Sequence, residues 1–210
     1  MMTNKIRAVI WDMGGVILRG GGDFSSRERL VQRLGIERSH LEELVFNSES
    51  SRQSLLGEIS EDEHWQQVGS MLGLSGEALV RARREFWCDS QLDGELVAFI
   101  DSLRPRYQTG LLSNAWKGTR ESVGSKFAFL HVFDVSVFSD EVGMMKPDPA
   151  FYQWILGRLD IQPDEAVFID DMAENVEAAQ LLGMAGIIFR SRKQALATLA
   201  EILPDIQPIE

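Results

Sequence analysis

Short apolar runs that each stop at a polar residue constrain this chain more than any other feature. Residues 6–11 (Ile-Arg-Ala-Val-Ile-Trp) end at Asp12, and Gly14-Gly15 then breaks the run. Thr109-Gly110-Leu111-Leu112 stops at Ser113, Val135 to Phe138 at Ser139, and Ala166 to Ile169 at Asp170; a last run covers Gly186 to Phe189. The runs are continuous rather than alternating in polarity. A strand with one wet face alternates, whereas a parallel strand covered on both faces does not. The pattern therefore predicts interior strands of a parallel sheet.

Helical patterns fill the later intervals. Asp148-Pro149 predicts an N-cap followed by proline at the first helical position, and Phe151, Trp154, Ile155 and Leu159 follow at helical spacing. Residues 174–183 read as a helix closed by Gly183, and Ser191-x-x-Gln194 opens another carrying Leu196, Leu199 and Leu203. Alternating strands and helices predict a doubly wound α/β core. One interval does not fit. Between Asp12 and residue 109 no comparable strand occurs, while capping-box spacing recurs at Ser25/Glu28, Ser39/Glu42 and Ser60/Glu63, and Gly35 and Gly73 mark helix ends. A crossover needs one helix, so several in succession form an insertion. The expected division is a core of residues 1–19 and 89–210 and a small helical cap of residues 20–88, with a helix over 93–104 returning to the core. Gly20-Gly21-Gly22 is expected to be the hinge, and the tail from Pro204 is expected to fray.

Charge narrows the partners. The 210-residue chain has 32 acidic against 21 basic residues, a formal net charge of −11. Such a field repels nucleic-acid backbones and anionic lipid, so neither is an expected partner. The lone Cys88 excludes an internal disulfide and a cysteine zinc cluster, and is expected to be a half-buried small hydrophobe. The apolar stretch before Asp12 is too short for a signal peptide or a membrane span, so a cytoplasmic location is expected. Oligomeric state is left open.

Side chains at the C-terminal ends of parallel strands meet in one crevice. That rule selects Asp12, Ser113, Asp170 and Asp171, with Ser139 a further candidate, and the loop Met145-Lys146-Pro147-Asp148 should open on the same edge. Three carboxylates around one point repel unless a cation joins them, and an oxygen-only donor set suits Mg²⁺. A phosphate could then approach Asp12 as nucleophile, with Ser113, Asn114 and Lys146 holding its other oxygens. Ser139-Asp140-Glu141 is expected to be a solvated loop, because more negative charge beside a phosphate would weaken binding. Trp65 and Trp87 are expected to pack; Trp116 could pack or touch substrate. His40, His64 and His131 are expected to lie outside the chemistry, with His64 the one that could approach it.

Four segments resemble, in order, the motifs of the haloacid dehalogenase (HAD) superfamily. They are Val9-Ile-Trp-Asp12-Met-Gly-Gly-Val16, Leu111-Leu-Ser113-Asn114, Lys146-Pro-Asp-Pro149 and Phe168-Ile-Asp170-Asp171-Met-Ala-Glu-Asn175. Together they organise almost the whole chain. Gly57-Glu-Ile-Ser60 is similar to the branch of glucose-1-phosphatases and of the phosphatase domain of soluble epoxide hydrolase. The resemblance implies a Rossmann-like core with a small cap and a Mg²⁺-dependent phosphatase of small phosphorylated metabolites, a sugar phosphate being one candidate. It implies Asp12 as nucleophile and metal ligand, the Gly14 carbonyl, Asp170 and Asp171 as further metal ligands, and Ser113, Asn114 and Lys146 as phosphate ligands. Asn175 would support the acidic loop.

The departure is Gly14, where most family phosphatases carry a second Asp as general acid. That help is typically worth ~10²–10⁴-fold, and matters least for good leaving groups such as anomeric or acyl phosphates. Two other readings stand beside the first. One is a 2-haloacid dehalogenase-like hydrolase, which needs no metal and so leaves Asp170-Asp171 unexplained. The other is a catalytically impaired protein that only binds a phospho-ligand.

Overall fold

In the computed structural model, which describes residues 6–20, 25–203 and 205–206, the first apolar run becomes the central strand of a five-stranded parallel sheet. The strands in chain order are β1 (Ala8–Trp11), β2 (Leu18–Gly20), β3 (Ser90–Leu92), β4 (Gln108–Ser113), β5 (Val135–Phe138), β6 (Ala166–Asp170) and β7 (Ala185–Ile188). The sheet runs β5-β4-β1-β6-β7. Trp11 is level with Leu111 on one side and Ile169 on the other. The next residue of all three strands is then Asp12, Leu112 and Asp170, so the two aspartates emerge side by side.

Both faces of the sheet are covered, as the continuous apolar runs require. Val9, Trp11, Leu111, Val167 and Ile169 face a core closed by α6 (Gly94–Ser102) and α11 (Arg192–Ile202). Ala8, Ile10, Leu112 and Phe168 face the opposite core, closed by α9 (Pro149–Leu159) and α10 (Ala173–Leu181). Neighbouring residues of β1 thus feed two different cores, which is the physical meaning of its unbroken hydrophobicity. Asp148 caps α9 by accepting from the Ala150 N–H at 2.9 Å, and Ser191 caps α11, both as expected. Trp154, expected on the buried face of α9, stands instead 42% exposed beneath Arg158.

Five helices occupy the interval that lacked a sheet strand: α1 (Ser25–Leu34), α2 (Arg38–Phe46), α3 (Glu49–Leu55), α4 (Glu61–Leu72) and α5 (Gly76–Trp87). They enclose their own apolar cluster of Leu30, Val31, Leu41, Val45, Trp65, Val68, Ala82 and Phe86. Ser60 and Glu63 form the expected capping box, and Gly73 ends α4 in the left-handed region. Ser39 does not cap: α2 starts one residue earlier, and Glu42 pairs with Arg38 instead. The Ser25 side chain, Gly21, Gly22 and most of the tail lie outside the described residues.

Two features of this region were not read from the sequence. The three-residue strands β2 and β3 pair antiparallel where the insertion leaves and rejoins the core. Their sequences, Leu-Arg-Gly and Ser-Gln-Leu, are too short and polar to show periodicity. Asp93, just after β3, caps α6 through the Leu96 N–H and binds both Arg19 of β2 and Arg192 of α11. Cys88, expected to be half-buried, is exposed at the end of α5, where Sγ donates to the Glu85 carbonyl. The remaining helices are α7 (Thr119–Phe127) and the one-turn α8 (Ser139–Val142). Among the described residues no helix is long and apolar enough to cross a membrane.

The core sets a stability expectation. Phe168 is fully buried on β6 and meets Tyr152 edge-on at 5.3 Å. Phe168→Ala should cost about 3–5 kcal/mol by lost burial and cavity formation, read as a lowered urea midpoint at an unchanged denaturant slope.

Candidate active site

The crevice at the sheet's C-terminal edge collects the residues that the strand-end rule selected. Asp12 follows β1, its N–H donating to the Ile169 carbonyl at 2.8 Å. The chain then turns at once, with Ile17 and Leu18 both donating to the Met13 carbonyl. Asp170 ends β6 with no exposed surface, and Lys146 enters from the loop between α8 and α9 with 2% exposure. The Lys146 ammonium donates to Asp12 Oδ1 and, at 2.7 Å, to Asp170 Oδ2. Asp170 is held further by the Met172 N–H at 2.8 Å and by the Asn175 side-chain amide at 3.1 Å from each oxygen. Asn175, in the first turn of α10, thus ties that helix to the carboxylate that ends β6.

Electrostatics follow from this packing. Burial raises the Asp12 pKa; Lys146 opposes the rise and Asp170 adds to it, leaving the carboxyl at about 7 against an ordinary 3.8. Burial works against the Lys146 charge, yet Asp12 and Asp170 outweigh it and its pKa rises. Burial and then Asp170 push Asp171 upward as well. Three carboxylates share one ammonium, so negative charge is left over.

The donor set suits a small hard cation. Ligand oxygens of Asp12, Asp170 and Asp171 lie within 4.8 Å of one another. Gly15 keeps that cradle open: a Cβ there would sit 2.2 Å from Asp171 Oδ2, and its φ is +78°. Gly14 is the reverse case, exposed, with nothing within 4 Å of a Cβ placed on it.

Ser113 ends β4 nearly buried, its hydroxyl making only a 3.4 Å contact to the Asn114 carbonyl. The Asn114 side-chain amide closes on the Lys146 backbone: Nδ2 donates to the Lys146 carbonyl at 2.9 Å and Oδ1 accepts from the Lys146 N–H at 2.8 Å. Ser139 departs from expectation. Rather than opening a solvated loop, it is fully buried and brackets Ala115, accepting from its N–H at 2.9 Å and donating to its carbonyl at 3.2 Å. The strand-end rule pointed to Ser139; its acidic neighbours argued misleadingly for solvent. Tyr152, missed altogether, is buried and donates to the Asn175 carbonyl at 2.8 Å. Its place in an apolar helical stripe concealed the hydroxyl's role.

The insertion reaches this edge through Trp116, which is buried in the insertion's apolar cluster. Its indole N–H donates to Ser51 at 3.1 Å, and the His64 ring lies 4.7 Å away. His64 is fully buried, paired with Ser50, and burial lowers its pKa to about 4. His40 and His131 are exposed. Gly57, with φ +75°, lets α3 meet the core: a Cβ there would lie 2.2 Å from the Asp140 carbonyl oxygen.

An aspartate buried against lysine at the edge of a doubly wound sheet, with helices inserted after the first strand, marks an α/β enzyme that works on a ligand at its strand ends. A family model for haloacid dehalogenase-like hydrolases matches residues 6–183, and the chain belongs to that family. It is 28% identical to the sesquiterpene phosphatase astK of Aspergillus oryzae, over 96% of this chain and 97% of that protein. It is 35% identical to the bifunctional epoxide hydrolase 2 of Sus scrofa over 51% of this chain, which spans only 20% of that longer protein. An HAD family enzyme of Bacteroides thetaiotaomicron, solved with magnesium and inorganic phosphate, has the same fold, with a TM-score of 0.71 at 23% identity over 87% of this chain and 93% of that one.

Two expectations follow from the geometry. Gly15→Ala should lose about 1–2 kcal/mol from the positive φ alone, and more from collision with Asp171, whereas Gly14→Ala should melt within a degree or two of wild type; thermal melts compare them. In metal-free protein the folded state holds the Asp12 proton up to about pH 7 and the unfolded chain only to about 3.8. Asp12 therefore favours folding below that window, and the contribution is lost as pH rises through it. Wild type should lose stability relative to Asp12→Asn between pH 4 and 7 and hold a constant difference above, measured by urea unfolding in chelator.

Proposed function

We propose that the protein is a Mg²⁺-dependent phosphatase of a small phosphorylated metabolite, acting through an aspartyl-phosphate at Asp12. The observation that carries this reading is the buried Asp12–Lys146–Asp170 group with Asp171 beside it, a site with more carboxylates than cations. The phosphatase names of relatives support it, and so does the related fold solved with magnesium and phosphate. Asp12, Asp170, Asp171 and the Gly14 carbonyl would hold Mg²⁺, which supplies charge neutralisation for an approaching phosphate.

The chain's own groups account for the rest. Lys146 and the Ser113 hydroxyl hold non-bridging phosphoryl oxygens. An Asp12 carboxylate oxygen attacks phosphorus, and the bond from phosphorus to the leaving oxygen breaks. Water then hydrolyses the aspartyl-phosphate, releasing inorganic phosphate and restoring the carboxylate. Residues 20–88 act as a cap over the core of residues 1–19 and 89–210, selecting the group that carries the phosphate and excluding water during transfer. The surplus carboxylates disfavour a metal-free dehalogenase. Position 14 lacks a general acid, so preferred substrates have leaving groups that depart without one.

Phosphate release from sugar, acyl and isoprenoid phosphates tests this. Activity should require Mg²⁺ and fall to background in Asp12→Asn; equal hydrolysis by both proteins would remove the proposed nucleophile. Because space is free at position 14, Gly14→Asp should raise turnover of alkyl phosphates roughly tenfold or more while changing acyl phosphates little.

A further inference from the structure

Asn114 and Lys146 are 32 residues apart in sequence, yet the side chain of one is closed onto the backbone of the other. The orientation of the Asn114 amide is fixed by its partners: a backbone N–H can face only Oδ1, and a carbonyl can face only Nδ2. Each polar end of the side chain therefore makes a hydrogen bond to the same residue. That residue is the one whose ammonium lies between Asp12 and Asp170. From the other flank, Ser139 grips the N–H and carbonyl of Ala115 at the end of β5. The segment carrying Ser113 and Asn114 is thus tied to the sheet, and Lys146 is tied to that segment.

We propose that Asn114 is a positioning residue that acts through Lys146, setting where the ammonium stands between the two aspartates. The proposal rests on the phosphatase reading for its kinetic consequence alone; the clasp itself does not. A lysine has a flexible four-carbon stem, so the place of its head depends on where its backbone is held. Misplacement of a reacting-centre group by about 1 Å can cost on the order of 10²-fold in rate. Asn114 contributes by removing that freedom, with Ser139 anchoring the segment it sits on.

Two measurements decide the matter. The first is amide hydrogen exchange at Lys146 in metal-free protein, where Asn114→Ala should accelerate exchange roughly tenfold or more, as expected when a native acceptor is lost. Unchanged exchange would show that no clasp exists. The second is a double-mutant cycle in kcat/KM with Mg²⁺, using Lys146→Arg, which keeps the charge but not the position of the head. Asn114→Ala should lower kcat/KM about 10- to 100-fold when Lys146 is present and less than about threefold in the Lys146→Arg protein. Equal losses in both backgrounds would make Asn114 an independent ligand and overturn the proposal. Wild type that releases no phosphate at all would defeat the phosphatase reading, and the exchange measurement would still decide the clasp.

Discussion

Everything at the working edge of this molecule is arranged around one buried ammonium. Lys146 has almost no exposure and stands between two carboxylates delivered by different strands. Burying any one of these charges alone would cost several kcal/mol, so each is tolerable only because the others are there. The sheet supplies the precision: β1 and β6 run in register, and Asp12 and Asp170 leave it at the same level. One ammonium does not balance three carboxylates. Burial, with Asp170 adding to it, raises the Asp12 pKa to about 7, and the surplus of carboxylate oxygens makes a donor set that suits a divalent cation.

The residues around this centre mostly act on backbone. Asn114 closes on Lys146, Ser139 on Ala115, Tyr152 on Asn175, and Asn175 in turn on Asp170. Bonds of this kind restrict where a functional side chain can be without placing another polar group in the crevice. Gly15 contributes by having no side chain, leaving room for the Asp171 carboxylate. The inserted helices touch the same edge at Trp116, two residues beyond Asn114, so the insertion and the segment after β4 share a packed cluster.

Some of this was legible in the residues. Strands buried on both faces lose their alternation, and so β1, β4, β5 and β6 stood out, each with its terminal Asp or Ser in view. The insertion was visible as a surfeit of caps and helix ends where one crossover helix would have sufficed. The hairpin β2–β3 was not visible, because three residues carry no period. Ser139 was misread because adjacent charges suggested water, whereas its own hydroxyl lies against Ala115 while Glu141 turns outward to Arg120. Cys88 was misread because burial habits of free cysteine say nothing about a particular helix end.

The sequence by itself determined which segments are interior strands and which residues end them, because hydrophobic pattern and chain-breaking residues act locally. It thereby determined that several carboxylates, a hydroxyl and a lysine meet at one edge. Only the tertiary structure decided what each does there. Which backbone Asn114 closes on, and whether Gly14 or Gly15 is the indispensable glycine, depends on atoms brought together from distant parts of the chain. Hydrogen bonds and steric exclusion act over a few ångströms, and no spacing along a sequence encodes such distances.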